Sequence, residues 1–127
     1  MSVSNDVSIL LVEDEPALLG LLQRHLERIG YRVEGAPTAE AAELLLSGGA
    51  FTPALLVADE TLPGQSGTEL AALLLQRYPG MLCLLCSGYP LSTDLLPMPY
   101  RSRTAILQKP YLPAMLEEAI RQILPSR

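Results

Sequence analysis

Five short apolar runs predict five buried strands. Four of them are continuous rather than alternating, which is typical of strands covered on both faces of a sheet. The run at 31–34 is weaker and has Val33 at its centre. Turn-forming or polar residues follow each run. The predicted strands are 8–12, 31–34, 55–58, 81–86 and 104–108.

Apolar residues at helical spacing between these runs predict amphipathic helices. The first begins at Pro16 and ends at Gly30, and the second covers 38–46 with Thr38 as its N-cap. The third covers 66–78, with Leu70, Leu73 and Leu74 as its apolar stripe. The last is the most regular, and its stripe consists of Leu112, Met115, Leu116, Ala119, Ile120 and Ile123.

The alternation of strands and helices predicts the fold class. We expect an α/β protein with a flavodoxin-like, doubly wound sheet of five parallel strands in the order 2-1-3-4-5 and helices on both faces. Prolines at 90, 97 and 99 leave room for at most a short helix at 92–96, so the fourth helix is expected to be short or irregular. At this length the chain, 1–127, is expected to be a single domain.

Composition narrows the choice of partners. The net charge is −5 and the basic residues are scattered, which argues against direct binding to nucleic acid. No apolar run approaches the roughly 20 residues that span a bilayer, and residues 1–6 are polar rather than a basic and then apolar leader. We therefore expect a cytoplasmic protein without a membrane partner.

Two features allow competing interpretations. Cys83 and Cys86 have the spacing of a redox pair or of half a metal site, but residues three apart on a strand face opposite ways, which favours buried free thiols. His25 lies among polar neighbours on the first helix. A surface position is favoured over a role in phosphotransfer.

Polar residues follow four of the predicted strands. Glu13 and Asp14 follow the first, Asp59 the third, Ser87 the fourth and Lys109 the fifth. Parallel strands end at one edge, where open α/β sheets bind ligands, so we expect these side chains to converge. An isolated Asp59 would be interpreted more simply as a helix cap or a turn residue.

The chemistry of this cluster favours a divalent cation and a phosphoryl group. Three clustered carboxylates repel one another unless a hard cation binds them through oxygen, and Mg²⁺ fits this donor set. Lys109, the only lysine in the chain, and Ser87 suit phosphoryl oxygens. One carboxylate beside a metal and a lysine is positioned to become the phosphorylated nucleophile. The alternative is a purely structural cluster of ion pairs.

These motifs together resemble the response-regulator receiver domain of two-component signalling. The resemblance runs over nearly the whole chain, through the segments 11–16, 59–67, 87–88 and 109–110. It implies that Asp59 accepts a phosphoryl group from the phosphohistidine of a histidine kinase or phosphotransfer protein.

The resemblance also implies roles for the surrounding residues. Glu13, Asp14, Asp59 and the backbone carbonyl of Thr61 would bind Mg²⁺. Ser87 and Lys109 would contact the phosphoryl oxygens, and the peptide bond between Lys109 and Pro110 would be cis.

The sequence departs from the family at three places. Glu13 stands where Asp is commonest, and Ile106 stands where a Tyr or Phe is frequent. The segment 90–99 lacks the regular fourth helix. We expect phosphorylation to reshape this segment rather than to drive dimerisation through a helical face. The chain encodes no output domain, so the signal is expected to pass to an unidentified output protein, with homodimerisation as a further possibility.

Two other functions compete with this one. A receiver-like scaffold would bind partners without being phosphorylated, which the complete set of site residues argues against. An aspartate-nucleophile phosphatase resembling the haloacid dehalogenase superfamily would carry a second Asp two residues after the nucleophile. Thr61 stands there instead, so a leaving group has no obvious proton donor. We therefore expect the chain not to be an enzyme in the usual sense.

Overall fold

A computed structural model describes residues 7–124. Five parallel strands form a single sheet in the order β2-β1-β3-β4-β5, which confirms the predicted topology. The central strand β3 is buried along its whole length, as its apolar sequence predicts. The strands are β1 (Ser8–Val12), β2 (Arg32–Ala36), β3 (Leu55–Asp59), β4 (Leu82–Ser87) and β5 (Thr104–Gln108).

Helices cover both faces of the sheet and divide the core into two layers. The helices are α1 (Pro16–Arg28), α2 (Ala39–Ser47), α3 (Gly67–Arg77), α4 (Met98–Arg101) and α5 (Pro113–Ile123). One core layer packs α2 and α3 against the sheet, and the other packs α1 and α5. The polar segment 1–6, on which the expectation of no leader depends, lies outside the described residues. Among residues 7–124, none of the helices is long and apolar enough to cross a membrane.

The helix ends follow local sequence. The Thr38 hydroxyl accepts a hydrogen bond from the Ala41 amide at 3.0 Å, as expected for an N-cap. At the start of α3, Ser66 and Glu69 form a reciprocal capping box. The beginning of α3 is therefore fixed by its own side chains.

Three residues of the predicted apolar stripes are exposed. Leu73 is 38% exposed because the buried face of α3 is centred on Leu70 and Leu74. Leu112 is 67% exposed because it precedes α5, and Met115 in the first turn is 46% exposed. The apolar stripes are thus wider than the buried faces of α3 and α5, and both helices lie where the sequence predicts them.

The segment 88–103 contains two short turns instead of one short helix. A 3₁₀ turn, Thr93–Leu95, lies inside the predicted range, and the one-turn helix α4 follows it. Pro99 is compatible with α4 because it lies in the first turn, where the backbone N–H needs no partner within the helix. Leu96 is the fully buried side chain of this segment.

The two thiols are buried on opposite faces of β4, as predicted. Cys83 belongs to the layer of α2 and α3, and Cys86 to the layer of α1 and α5; neither forms a disulfide. Burial raises the pKa of Cys83 well above that of an ordinary thiol, and it raises the pKa of Cys86 to about 12. Neither thiol has the exposed, thiolate-stabilising surroundings of a redox pair.

Candidate functional site

Four strands deliver the predicted site residues to one edge of the sheet. The register pairs Asp59 of β3 with Cys86 of β4, and Ser87 of β4 with Gln108 of β5. Lys109 follows β5 directly. Glu13 follows β1, and its amide donates to the Ala36 carbonyl at 3.1 Å. The topological switch of the sheet, between β1 and β3, lies at this edge.

The three acids form a compact cluster. Glu13, Asp14 and Asp59 each offer a carboxylate oxygen, and these oxygens lie within 4.8 Å of one another. Glu13 and Asp59 are buried, whereas Asp14 is exposed. Glu13 is also oriented locally, because its Oε2 accepts a hydrogen bond from the Glu15 amide at 3.1 Å.

Burial is the main influence on the pKa of Glu13. It raises that pKa above the ordinary glutamate value, and the charges of Asp59 and Asp14 act in the same direction. The hydrogen bond from Glu15 and the charge of Lys109 oppose the shift without cancelling it. Because burial disfavours the charged form of Glu13, a bound cation would stabilise its carboxylate.

Lys109 forms an ion pair with Asp59. Its Nζ lies 2.6 Å from Asp59 Oδ1, and its backbone amide donates to the Ser87 carbonyl at 2.7 Å. Burial lowers the pKa of Lys109, but the hydrogen bond to Asp59 and the charges of Asp59 and Glu13 outweigh it, so the pKa is raised. The ammonium is therefore held in its charged form beside the buried carboxylate.

Ser87 reaches the same edge, but its hydroxyl is engaged within its own turn. The side chain is buried, its Oγ donates to the Tyr89 carbonyl at 2.7 Å, and it accepts from the Tyr89 amide at 3.2 Å. A contact between Ser87 and a phosphoryl group would require these bonds to be exchanged.

The loop after β3 carries Thr61 and a residue that sequence reasoning missed. Thr61 is exposed between the buried residues Glu60 and Leu62. The Glu60 carboxyl accepts two hydrogen bonds from Thr68, one from the amide and one from the hydroxyl. The sequence signal for this contact was an acidic residue directly after a strand, followed by a Thr in the first turn of the next helix.

Two further observations complete the edge. The peptide bond between Lys109 and Pro110 is cis, as expected. A cleft of about 420 Å³ opens beside Lys109 and is lined by Leu18, Gly88, Pro110 and Tyr111 as well.

His25 is half-buried rather than free on the surface, because its Nε2 lies 3.1 Å from Glu117 Oε1 on α5.

Comparison with known proteins identifies the family. Residues 9–121 match the family model described as the response regulator receiver domain. The chain is 37% identical over 81 residues to the response regulator protein FleR of Pseudomonas aeruginosa, covering 64% of this chain and 17% of FleR. It is 33% identical over 87 residues to the photosynthetic apparatus regulatory protein RegA of Rhodobacter capsulatus, covering 68% of this chain and 46% of RegA. The chain thus spans less than half the length of these two curated relatives.

Solved structures agree with this assignment. A CheY-like receiver domain protein from Methanospirillum hungatei superposes with a TM-score of 0.78 and 30% identity, covering 91% of each chain. The receiver domain of the hybrid histidine kinase CckA superposes with a TM-score of 0.70 and 30% identity, covering 93% of this chain and 99% of that one. This chain therefore belongs to the response regulator receiver domain family, whose members generally serve as phosphoacceptor switches in two-component signalling.

Proposed function

We propose that the chain accepts a phosphoryl group on Asp59 from a phosphohistidine of a histidine kinase or phosphotransfer protein, in a reaction that requires Mg²⁺. The observation that carries the proposal is the buried Asp59 carboxylate, which lies in the acidic cluster and 2.6 Å from the only lysine of the chain. A nucleophilic carboxylate beside an ammonium and a cation-binding cluster is the arrangement that phosphoryl transfer to Asp needs.

The donor set of the cluster fits Mg²⁺. Receiver domains bind this ion at their acidic pocket, and here three carboxylates from two strand ends offer oxygens within 4.8 Å of one another. Glu13, Asp14, Asp59 and the backbone carbonyl of Thr61 are the proposed ligands. When bound, the ion supplies positive charge that neutralises phosphoryl oxygens.

The transfer itself is a displacement at phosphorus. An oxygen of Asp59 attacks, a P–O bond forms, and the P–N bond to the donor imidazole breaks, with its electron pair returning to the imidazole nitrogen. Lys109 would move its ion pair from the free carboxylate to a phosphoryl oxygen. Ser87 would exchange its bond with the Tyr89 carbonyl for a bond to another phosphoryl oxygen.

This last exchange links the chemistry to the segment 88–103. Tyr89 is the second residue of that segment, and releasing its carbonyl removes a bond that holds the segment to β4. Ile106 is partly buried and provides no ring to follow the movement of Ser87. We therefore propose that phosphorylation reshapes 90–99 and that an output protein, or a second copy of the chain, recognises the new surface. The chain would act as a single receiver domain in the cytoplasm, without direct contact to nucleic acid or membrane.

Incubation with acetyl phosphate and MgCl₂, followed by intact-mass measurement and peptide mapping, tests the proposal. We expect the wild type to gain one phosphoryl group on Asp59 and Asp59→Asn to gain none. Asp94→Asn is the matched control, because Asp94 is an exposed Asp on the segment 88–103. We expect this variant to be phosphorylated on Asp59 to the same extent as the wild type.

Other outcomes would contradict the proposal in distinct ways. A wild type without mass gain would favour a binding scaffold. Modification of Asp59→Asn at another residue would show that the acceptor is wrongly assigned. Steady hydrolysis of a phosphate ester by the purified protein would favour a phosphatase, for which the exposed Thr61 offers no acid.

A further inference from the structure

Glu60 is a buried acid outside the cluster that binds the cation. The residue is 7% exposed, and within residues 7–124 no basic side chain lies within ion-pair distance of its carboxyl group. Burying a carboxyl group without partners is costly. Its position therefore depends on the hydrogen bonds that it makes.

Both hydrogen bonds of the Glu60 carboxyl come from one residue of α3. Oε1 accepts from the Thr68 amide at 2.8 Å and from the Thr68 hydroxyl at 2.6 Å. Thr68 is the second residue of α3, so its amide is one of those that the helix leaves without a partner, at the positive end of the helix dipole. The side chain thus joins the end of β3 to the beginning of α3.

The main chain of Glu60 is fixed as well. Its amide donates to the Cys86 carbonyl of β4 at 2.8 Å. Its carbonyl accepts from the Leu62 amide at 3.2 Å and from the Gly67 amide at 3.1 Å. The residues between Glu60 and Thr68 therefore form a closed loop, and Thr61 lies inside it between two anchored neighbours.

Gly67 makes this closure possible. A Cβ at residue 67 would lie 2.5 Å from the Asp59 carbonyl oxygen and 3.0 Å from Glu60 Cα. The first turn of α3 thus packs directly against the peptide group that follows the acceptor residue. The main chain at Asp59 and Glu60 is therefore in direct contact with the first residue of α3.

We infer that Glu60 is a positioning residue: through its hydrogen bonds to Thr68 it holds the loop that presents the Thr61 carbonyl to Mg²⁺. This inference depends on the proposed function, since it assigns Glu60 to the same metal site. Groups that orient the ligands of a metal commonly change its affinity by about tenfold or more when they are removed. The exposed side chain of Thr61 has no part in this role.

Magnesium affinity, measured by isothermal titration calorimetry with MgCl₂, tests the inference without requiring phosphorylation. Glu60→Leu removes the acceptor, so we expect the dissociation constant for Mg²⁺ to rise about tenfold. Glu60→Gln retains an oxygen that can accept both bonds, so its constant should stay within about twofold of the wild type. Thr68→Val removes only the hydroxyl bond, should fall between these two, and serves as the second variant if Glu60→Leu does not fold.

Ser66→Ala is the matched control for stability. It disrupts the capping box at the same end of α3 without touching Glu60. We expect it to lower the midpoint of thermal unfolding while leaving the affinity for Mg²⁺ unchanged.

The outcomes separate the two proposals. If Glu60→Leu loses stability as Ser66→Ala does but binds Mg²⁺ as tightly as the wild type, Glu60 is only a helix cap and the positioning role is refuted. If Glu60→Gln binds as weakly as Glu60→Leu, the hydrogen-bond explanation fails. If the wild type itself does not bind Mg²⁺, the proposed function fails and the positioning role fails with it.

Discussion

Two segments flank the acceptor carboxylate, and the protein anchors them differently. The loop at 60–66 is held by the buried side chains of Glu60 and Leu62 and by the contact of Gly67 with β3. The longer segment at 88–103 has one fully buried side chain, Leu96, and many exposed ones. The comparison teaches that one side of the site is suited to hold the ligands in place, while the other can change its conformation at lower cost.

The largest effect is expected from a methyl group in the anchored loop. In Gly67→Ala the new Cβ would meet backbone atoms of Asp59 and Glu60, which cannot turn aside as a side chain can. We expect the free energy of unfolding, measured by denaturant titration, to fall by about 2 kcal/mol. Phosphorylation by acetyl phosphate should slow as well.

Gly88→Ala provides the matched control in the other segment. Apart from its own residue and the two chain neighbours, a Cβ at residue 88 would have no atom within 4 Å, so the free energy of unfolding should change by less than about 0.5 kcal/mol. Equal losses of unfolding free energy in Gly67→Ala and Gly88→Ala would contradict the proposed difference between the two segments.

A second prediction concerns Arg103, the last residue of the segment 88–103. Arg103 donates to the carbonyls of Leu75, Tyr78 and Met81 at 3.2, 2.7 and 3.0 Å, and so connects α3 and the approach to β4 with β5. We expect Arg103→Ala to lower the free energy of unfolding by about 1.5 kcal/mol. Denaturant titration again measures the change.

Arg101→Ala is the informative partner of that variant. Arg101 donates to the carbonyls of Leu96 and Asp94, which belong to the same segment as Arg101 itself. We expect a loss of only about 0.5 kcal/mol, with faster amide hydrogen exchange confined to 92–101. Faster exchange in 60–68 would show that the two segments are not independent.

The smallest effect concerns the electrostatics of the anchored side. An unfolded chain releases the Glu13 proton near the ordinary value of 4.5, whereas the folded, metal-free protein retains it to higher pH because burial raises the pKa of Glu13. The folded state therefore binds more protons in the window above 4.5, and this contribution to stability decreases as the pH rises through it.

Glu13→Gln removes that dependence. Relative to the wild type, the metal-free variant should gain stability as the pH rises from 4.5 towards neutrality. Urea titrations at several pH values in the presence of a chelator measure the difference. Parallel curves for the two proteins would contradict the assignment of the shift to Glu13.

Main-chain topology explains how much of the protein the sequence predicted. Short apolar runs bounded by turn residues located the strands closely; β1 and β5 have the predicted bounds. In a parallel sheet of this strand order, the carboxyl ends of β3 and β5 lie at the same edge, and with them Asp59 and Lys109. The structure brings these two side chains into contact. The roles of these residues remain predictions.

Features that depend on side-chain direction could not be predicted in the same way. The bonds between Glu60 and Thr68 cross a loop, and no periodicity reports on them. The exposure of Leu112 depends on where α5 begins, which an apolar stripe alone does not fix. Pro99 shows the same limit, because proline excludes a helix interior but is compatible with its first turn.

The ion pair at the acceptor residue also makes the protein easy to observe. Lys109 is the only lysine in the chain, and its Nζ lies against Asp59. Labelling lysine with ¹⁵N at Nζ alone would therefore place a single isotopic reporter inside the site, free of overlap from other lysines. One resonance would then follow the acceptor from its free to its phosphorylated form in real time.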